Sequence, residues 1–452
     1  MNGVITELEA YQQALLEAEK AGDIKEISLA KANLGMALYS TGKMDEALRI
    51  TDDAIEIARR ENNKTSLASY IGKRGVILFE SGEFIKAQEC FLTVLDLAEE
   101  IGNNAYKCDA LGNLGLILAS TGDPAGSMGK LNEALAIARQ IGDHPRELTQ
   151  LGNIGHTYLQ VANIDNAIKT YTLAVQIARG IGDRKSEAGY LNNLGVIYNN
   201  ISQRDLLIKT FEQVLAISIE IDDKNLTFNA LQHLAKGRSA KGDTRQAIQY
   251  AQQALEILNE LESPIDQTTI KDILTTSLIK EERFDEAIDE IQKDLEKARL
   301  VKNKNHELIL LGKLADTFFQ IGDLEQSMSV YQQAIDLSVR LQRKLLEGRL
   351  TGRLGAIYAD LGDYELSNQF IDRAIQLADS EKDLQSLAEQ YFLRALNYQQ
   401  MDQFREALDF CHKSIDIFSK IGLTDQIQQV QVLLTELQSK KISKDCQRNE
   451  VP

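Results

Sequence analysis

The 452-residue chain contains no tryptophan, only four prolines and only four cysteines. Cys90, Cys108, Cys411 and Cys446 lack the close spacing of a metal site or a disulfide framework, which favours a reducing compartment. There is also no apolar run of the roughly 18 residues needed to span a membrane, and the N-terminal stretch does not resemble a signal peptide. The sequence therefore predicts a cytoplasmic protein with no membrane partner.

Basic residues are in the minority. Lys and Arg total 50 against 67 Asp and Glu, which gives a net charge of −17. An acidic surface repels phosphate-rich partners, so the charge argues against nucleic acid and anionic membranes as the main partner.

Residue patterns that carry catalysis are scarce as well. The five histidines have no metal-ligand spacing. Cys411 and His412 are neighbours on one predicted helix and point about 100° apart, which does not suit a nucleophile and its base. Residues 122–130, GDPAGSMGK, lack the first glycine of a phosphate loop and are followed by Leu131 instead of Ser or Thr. We expect no enzymatic activity, no cofactor and no metal site.

What the chain does contain is a repeat of 40 residues, seen most clearly in residues 111–143. This stretch reads as helix, turn, helix, turn, with apolar residues at the three- and four-residue spacing of a helix face. Gly122, Asp123 and Pro124 end one helix and begin the next. A single hairpin of this kind cannot cover its own apolar face, so it needs copies on both sides.

The copies keep one register without insertion or deletion. Stepping by 40 residues from the small residue of the first helix gives Gly35, Gly75, Gly115, Gly155, Gly195, Ala235, Thr275, Ala315, Gly355 and Ala395. Three residues further on lies a mostly bulky column, formed by Leu38, Leu78, Leu118, Tyr158, Tyr198, Arg238, Leu278, Phe318, Tyr358 and Tyr398. We expect this bulky column to fill the space that the small residues leave between closely packed helices.

This alternation of small and large residues resembles the tetratricopeptide repeat. Ile154, Gly155, Tyr158, Ala167 and Ala174 match its pattern with one conservative change. The 40-residue period, and the phrase ALAIARQIGD over residues 134–143, are similar to the longer-helix variety of Pins-type scaffolds and bacterial regulators. The resemblance implies an all-α fold: a right-handed superhelical solenoid of about ten hairpins with a capping helix at each end.

The predicted bounds follow from the register. We expect an N-terminal cap helix over 4–21, hairpins over about 24–421, and a C-terminal cap helix over 424–440. Residues 1–440 would form a single array, and the polar stretch 441–452 would be a disordered tail.

The fifth to seventh hairpins depart from the pattern. Leu207 stands where the neighbouring repeats have Ala167 and Ala247, and Asp294 stands where they have Ala254 and Ala334. Arg238 stands in the bulky column. Ser202 and Glu282 replace turn glycines, and residues 262–264 replace the usual Gly-Asp exit. These changes reflect either drift in a tolerant repeat, or a local change of pitch or second binding surface around residues 200–295.

In folds of the resembled family the first helices of the hairpins line a concave groove. The predicted binding residues on these helices are Asn33, Lys73, Asn113, Asn153, His156, Asn192, Asn193, Asn199, Asn229, His233, Lys313 and Arg353. A carboxamide both donates and accepts hydrogen bonds, so a row of Asn residues suits an extended peptide, and the cations suit acidic groups. The alternative is that each Asn only bonds to a neighbouring helix.

The function favoured by the sequence is a non-enzymatic interaction module that binds a peptide or a partner-protein segment in this groove. Two alternatives stay open. One is a peptide-responsive sensor, and the other is a regulatory or inhibitory subunit of a separately encoded enzyme such as a protease or an NTPase. A homodimer is also possible, because irregular hairpins or exposed cap helices offer surfaces for a second copy.

Overall fold

The computed structural model of the protein describes residues 2–261 and 267–449, and in that part the chain forms 22 α-helices and no strand. Helix α1 spans Asn2–Ala21. The first helices of the ten hairpins are α2 (Ile24–Ser40), α4 (Lys64–Glu80), α6 (Asn104–Ser120), α8 (His144–Gln160), α10 (Arg184–Asn200), α12 (Lys224–Lys241), α14 (Thr268–Lys280), α16 (Lys304–Gln320), α18 (Lys344–Asp360) and α20 (Leu384–Gln400). The second helices are α3 (Met44–Arg60), α5 (Phe84–Glu100), α7 (Pro124–Gln140), α9 (Ile164–Ile181), α11 (Arg204–Glu220), α13 (Thr244–Leu261), α15 (Phe284–Leu300), α17 (Leu324–Arg340), α19 (Tyr364–Ser380) and α21 (Phe404–Ile421). Helix α22 spans Thr424–Asn449.

A residue with left-handed backbone conformation ends the helices at 20-residue intervals. Eleven of these residues are glycines, which adopt a positive φ without steric cost. The interval holds even where the sequence offers no glycine, since Ala162, Ser202 and Glu282 have φ of 55°, 58° and 57°. The turns predicted at Ser202 and Glu282 are therefore confirmed, and at all three positions the chain accepts backbone strain to keep the register.

Side-chain caps begin most of the following helices. Asp or Asn in this position accepts a hydrogen bond from a backbone N–H of the first turn, as Asp123 does from Gly126 at 2.8 Å and Asp183 from Ser186 at 3.0 Å. Helices α3, α5, α11, α14, α15, α18 and α21 follow a Lys, Glu, Gln or Arg residue and have no side-chain cap.

The small residues of the first helices face large side chains of the second helices. A Cβ added at Gly155 would lie 2.7 Å from Tyr171 Cζ, and one added at Gly195 would lie 2.8 Å from Phe211 Cζ. These contacts correct the expectation that the bulky column beginning at Leu38 fills the space. The nearest side chain instead comes from the partner helix, because the two helices of a hairpin cross at the glycine.

Packing runs between neighbours along the chain. Successive helices contact each other from α1 to α12 and from α14 to α22, and first helices also contact each other, as α2 does with α4, α4 with α6, α6 with α8, and α18 with α20. The chain divides into two compact units, residues 1–241 with 253–264, and residues 242–252 with 265–452. A single continuous array over 1–440 therefore stays a prediction.

Buried glutamates join the second helix of one hairpin to the first helix of the next. Glu187 is 1% exposed and accepts hydrogen bonds from Arg179 at 2.7 Å and Arg184 at 2.6 Å. The equivalent residues Glu147 and Glu307 are also buried and pair with Arg139 and Arg299 of the preceding second helix, whereas the buried Glu347 pairs with Arg373 of the second helix of its own hairpin. A carboxylate in such a place needs these partners, because an unpaired buried charge costs several kcal/mol, roughly 3–5.

The irregular residues have partners inside their own units. Leu207 is buried, and its Cδ2 methyl carbon would lie only 2.6 Å from a Cβ added at Gly237. The glycine at position 237 therefore makes room for the larger side chain at position 207. Arg238 pairs with Glu212 at 2.7 Å. Local compensation of this kind is what tolerated drift in a repeat produces.

The last helix differs from its predicted bounds. Helix α22 begins at Thr424 and extends to Asn449, beyond the predicted end at residue 440, and the disorder of residues 441–452 stays a prediction. Residues 450–452 of the predicted tail, and residues 262–264 of the irregular turn, lie outside the described residues.

Candidate functional site

All twelve predicted binding residues lie on first helices, from α2 to α18. His156 and Arg353 are exposed, and the other ten are half-buried. First helices of adjacent hairpins contact each other within a unit, as α4 does with α6 and α18 with α20, so their side chains share a face of that unit. We call this the first-helix face of each unit.

Four cavities lie along the first-helix face, two in each unit. They have volumes of about 270, 470, 220 and 530 Å³, and we name them the α4–α6, α8–α10, α14–α16 and α18–α20 cavities. Six of the predicted residues line them: Lys73 and Asn113 the first, His156 and Asn193 the second, Lys313 the third, and Arg353 the fourth. Half of the predicted residues therefore line cavities: two cavities hold a pair of them, and the other two cavities hold one each.

Some of the predicted residues are already engaged within the chain. Lys73 donates to Asn33 Oδ1, and Asn113 Nδ2 donates to the carbonyl of Asp109 at 2.8 Å. His233 stacks on the ring of Phe211 with the ring centres 4.3 Å apart. Burial lowers the pKa of both Lys73 and His233. Asn33 thus bonds to a neighbouring helix, the alternative left open by the sequence, whereas Asn113 bonds within its own helix.

Other predicted residues have unused hydrogen-bonding capacity. The buried Oδ1 atoms of Asn192 and Asn229 have no hydrogen-bond partner among the described residues. His156 Nε2 contacts only the side chain of Gln160, at 3.3 Å. Asn153 and Asn199 lie half-buried on α8 and α10.

Lys313 belongs to a charged cluster at the α14–α16 cavity. Its Nζ donates to Asp272 Oδ1 at 2.8 Å and to Thr275. In the same cavity Asp294 accepts from Lys271 and lies 3.0 Å from His306 Nε2. Burial alone would raise the pKa of Asp294, but the hydrogen bonds from Lys271 and His306 outweigh it and lower that pKa.

Two glutamines escape prediction from the sequence. Gln150 and Gln390 occupy equivalent positions in different repeats, and the carboxamide of each lies over a glycine, Gly112 and Gly352. Both are buried, and the Oε1 atom of each has no hydrogen-bond partner among the described residues. The recurrence of a glycine 38 positions before a glutamine is the signal that would have revealed them.

The buried thiols are unsuited to nucleophilic chemistry. Burial raises the pKa of Cys108 and of Cys411 to about 11, so both remain protonated near neutral pH. In the described part of the chain, no three His, Cys, Asp or Glu side chains are placed to hold a metal ion. None of the helices described there is long and apolar enough to cross a bilayer.

Comparison with known families matches most of this architecture. A tetratricopeptide repeat model matches residues 26–100, 65–140, 106–180 and 186–260, and a second model of the same description matches 310–338 and 350–381. The chain belongs to the tetratricopeptide repeat family. Its described residues are all-α, with helical hairpins in the arrangement of that family, and the chain is a protein-interaction module.

One curated relative is the 43 kDa receptor-associated protein of the synapse from Gallus gallus, which is 23% identical over 205 residues. The match covers 43% of this chain, and the chain spans about half, 48%, of that relative.

Three solved structures are similar to this chain at low identity. RapI in its apo form is 14% identical, with 75% of this chain and 98% of that one covered and a TM-score of 0.48. BtubC from P. vanneervenii is 19% identical, with 49% and 94% covered and a TM-score of 0.45. The apo quorum sensor NprR from B. thuringiensis is 14% identical, with 74% and 99% covered and a TM-score of 0.41.

Proposed function

We propose that this tetratricopeptide repeat protein binds an extended segment of a partner protein along its first-helix face, without catalysing a reaction. The observation that carries the proposal is the row of cavities on that face, which takes in six of the residues expected to bind. A curated relative described as receptor-associated supports a role in interaction.

The α8–α10 cavity shows how such a segment would be held. Asn193 offers a donor and an acceptor that can pair with a peptide backbone whatever its sequence. Leu159, Val196 and Ile197 form an apolar wall beside it, which would select the side chain that enters. His156 is exposed at the same cavity and adds a second polar contact.

The test compares two double variants in a capture experiment. His156→Ala with Asn193→Ala removes both polar contacts of the cavity. Asn132→Ala with Gln176→Ala makes the same kind of change at exposed positions of the second helices α7 and α9. Partners captured by the wild type are identified by mass spectrometry and mapped by cross-linking. We expect the first variant to bind its partner about 10-fold more weakly, since two hydrogen bonds are worth roughly 0.5–1.5 kcal/mol each.

The control variant should bind as the wild type does. Equal retention of the partner by both variants, or cross-links confined to the second helices, would contradict the proposal. A partner peptide that also changes the hydrodynamic radius of the chain would favour the sensor alternative over a passive scaffold.

A further inference from the structure

The α18–α20 cavity differs from the other three cavities in being lined by arginines. It encloses about 530 Å³ and includes two arginines one helical turn apart, Arg349 and Arg353, on one side, with Asp383, Glu389 and Gln390 on the other. All of these residues belong to one unit of the chain.

The two arginines differ in their partners. Arg349 Nε donates to Asp383 Oδ2 at 2.8 Å, so its charge is balanced. Arg353 is exposed at the cavity and makes no hydrogen bond or ion pair with the residues that the structure describes. In a chain of net charge −17, this guanidinium is a local cation available to an anionic group.

Gln390 supplies a second unsatisfied group beside Arg353. Its side chain is 7% exposed, and its Oε1 has no hydrogen-bond partner in the described part of the chain. The carboxamide lies over Gly352, where an added Cβ would be 2.7 Å from Oε1, so only glycine leaves room for it. Rotation of the carboxamide would present this oxygen to the cavity, where an N–H donor would satisfy it.

The chain contains an internal comparison for this site. Gly112 and Gln150 form the same pair in an earlier repeat, but the residue next to Gly112 is Asn113, which bonds to a carbonyl of its own helix. Asp109, in the position of Arg349, is held by Arg146 through two bonds of 2.8 Å. The glycine–glutamine pair thus recurs, and the unpaired cation is found at the second copy.

We propose that the α18–α20 cavity binds an Asp or Glu side chain of the partner segment, with the carboxylate on Arg353 and the adjacent backbone N–H on Gln390. The inference rests on the proposed function and names one residue class of the partner. A single carboxylate fits better than a doubly charged phosphate, because Asp383 and Glu389 line the same cavity and would repel a second negative charge. Arginine pairs with carboxylate through two parallel hydrogen bonds, which gives geometric selection as well as attraction.

The test uses random 12-residue peptides displayed on phage with their C-termini fused to the coat protein, so every carboxylate in a peptide comes from Asp or Glu. The full chain is used as wild type, as Arg353→Gln and as Arg343→Gln. Arg343 lies at the start of the same helix, is exposed and bonds to Asn305, so its replacement removes an equal charge outside the cavity. We expect one acidic position to be enriched by the wild type and by Arg343→Gln, and lost with Arg353→Gln.

Synthetic amidated peptides then measure the preference. A selected peptide should bind the wild type about tenfold or more tightly than its Glu→Gln version, and this ratio should fall to about one in Arg353→Gln. Gln390→Leu should weaken the acidic peptide several-fold, whereas Gln150→Leu, at the equivalent earlier pair, should leave its binding unchanged.

Three outcomes would overturn the site. They are equal binding of Glu and Gln peptides to the wild type, equal losses in Arg343→Gln and Arg353→Gln, and selected peptides without an acidic position. If those peptides still depend on His156 and Asn193, the proposed function stands and only the acidic site is wrong. If the wild type enriches no peptide, both proposals are wrong.

Discussion

At the residue scale, the close approach of two helices depends on complementary volumes at single positions. Gly75, Gly115, Gly155 and Gly195 each face a large side chain, which belongs to Phe91, Leu131, Tyr171 and Phe211 respectively. Phe91, Leu131 and Phe211 are at most 1% exposed, and Tyr171 is 3% exposed. The glycine is therefore required by the neighbouring ring or branched chain and not by the backbone of its own helix.

Two glycines of α10 separate this effect from helix propensity. Gly195→Ala should destabilise the local structure by about 1–3 kcal/mol, because the new methyl group would overlap the Phe211 ring. Gly189→Ala, which meets no atom within 4 Å, should stabilise it by roughly 0.5–1 kcal/mol through higher helix propensity. Amide hydrogen exchange in α10 and α11 measures both changes. A gain of protection in both variants would show that the Phe211 ring does not fill the space beside Gly195.

At the element scale, irregular helices are held by interactions that the regular repeats do not use. Asp294 of α15 stands in a column of small residues, and it is paired with Lys271 of α14 and His306 of α16. The side chains of Asp294 and Lys271 are only 11% and 14% exposed. Three successive helices are thus joined by charge at a place where other hairpins pack small side chains.

Removing one member of this group should be costly, and removing two should not. Asp294→Ala leaves Lys271 buried without its partner and should destabilise these helices by about 3 kcal/mol. Asp294→Ala combined with Lys271→Met should recover most of that loss, since the pair is replaced by apolar groups. The measurement is thermal unfolding together with hydrogen exchange of α14–α16. A stability loss in the double variant equal to the sum of the two single losses would contradict the pairing of Asp294 with Lys271.

The cost of Asp294→Ala should also depend on pH. The pKa of Asp294 is lower in the folded chain than its ordinary value of about 3.9, so the ion pairs stabilise the fold fully above that value. Their contribution is lost as the pH falls through the lowered pKa. The difference between wild type and variant should therefore shrink as the pH falls below about 4.

At the scale of the whole molecule, stability is spread along the chain. Among the described residues, the helix pairs with the most contacts are neighbours in sequence or first helices of adjacent hairpins, so within each unit a hairpin is supported mainly by its neighbours. Repeat proteins of this kind have a stability close to a sum of repeat and nearest-neighbour contributions. A defect in one hairpin should remain local.

Leu114→Ala tests this locality. Leu114 is 5% exposed in the core of α6, and its truncation should cost roughly 2–5 kcal/mol. Hydrogen exchange should become faster in α4–α8 and stay unchanged in α18–α21. Uniformly faster exchange would instead indicate a single cooperative unit, and no change at all would mean that Leu114 is not a packing residue.

The sequence by itself determined the 40-residue period, the ends of the helices and the face on which the candidate binding residues lie. These features are local, because a glycine or its substitute in left-handed conformation, followed by an Asp or Asn cap, fixes a helix boundary within a few residues. The same register placed all twelve candidate residues on first helices.

Only the tertiary structure decided which residues meet. The packing of Tyr171 against Gly155, the match of Leu207 to Gly237 and the pairing of Asp294 with Lys271 each join different helices. The structure also decided the state of the site residues: Asn113 bonds within its own helix, while Arg353 and the Oε1 atom of Gln390 have no hydrogen-bond partner among the described residues. Helical periodicity gives the direction of a side chain about its own axis, but the crossing of helices determines what it contacts.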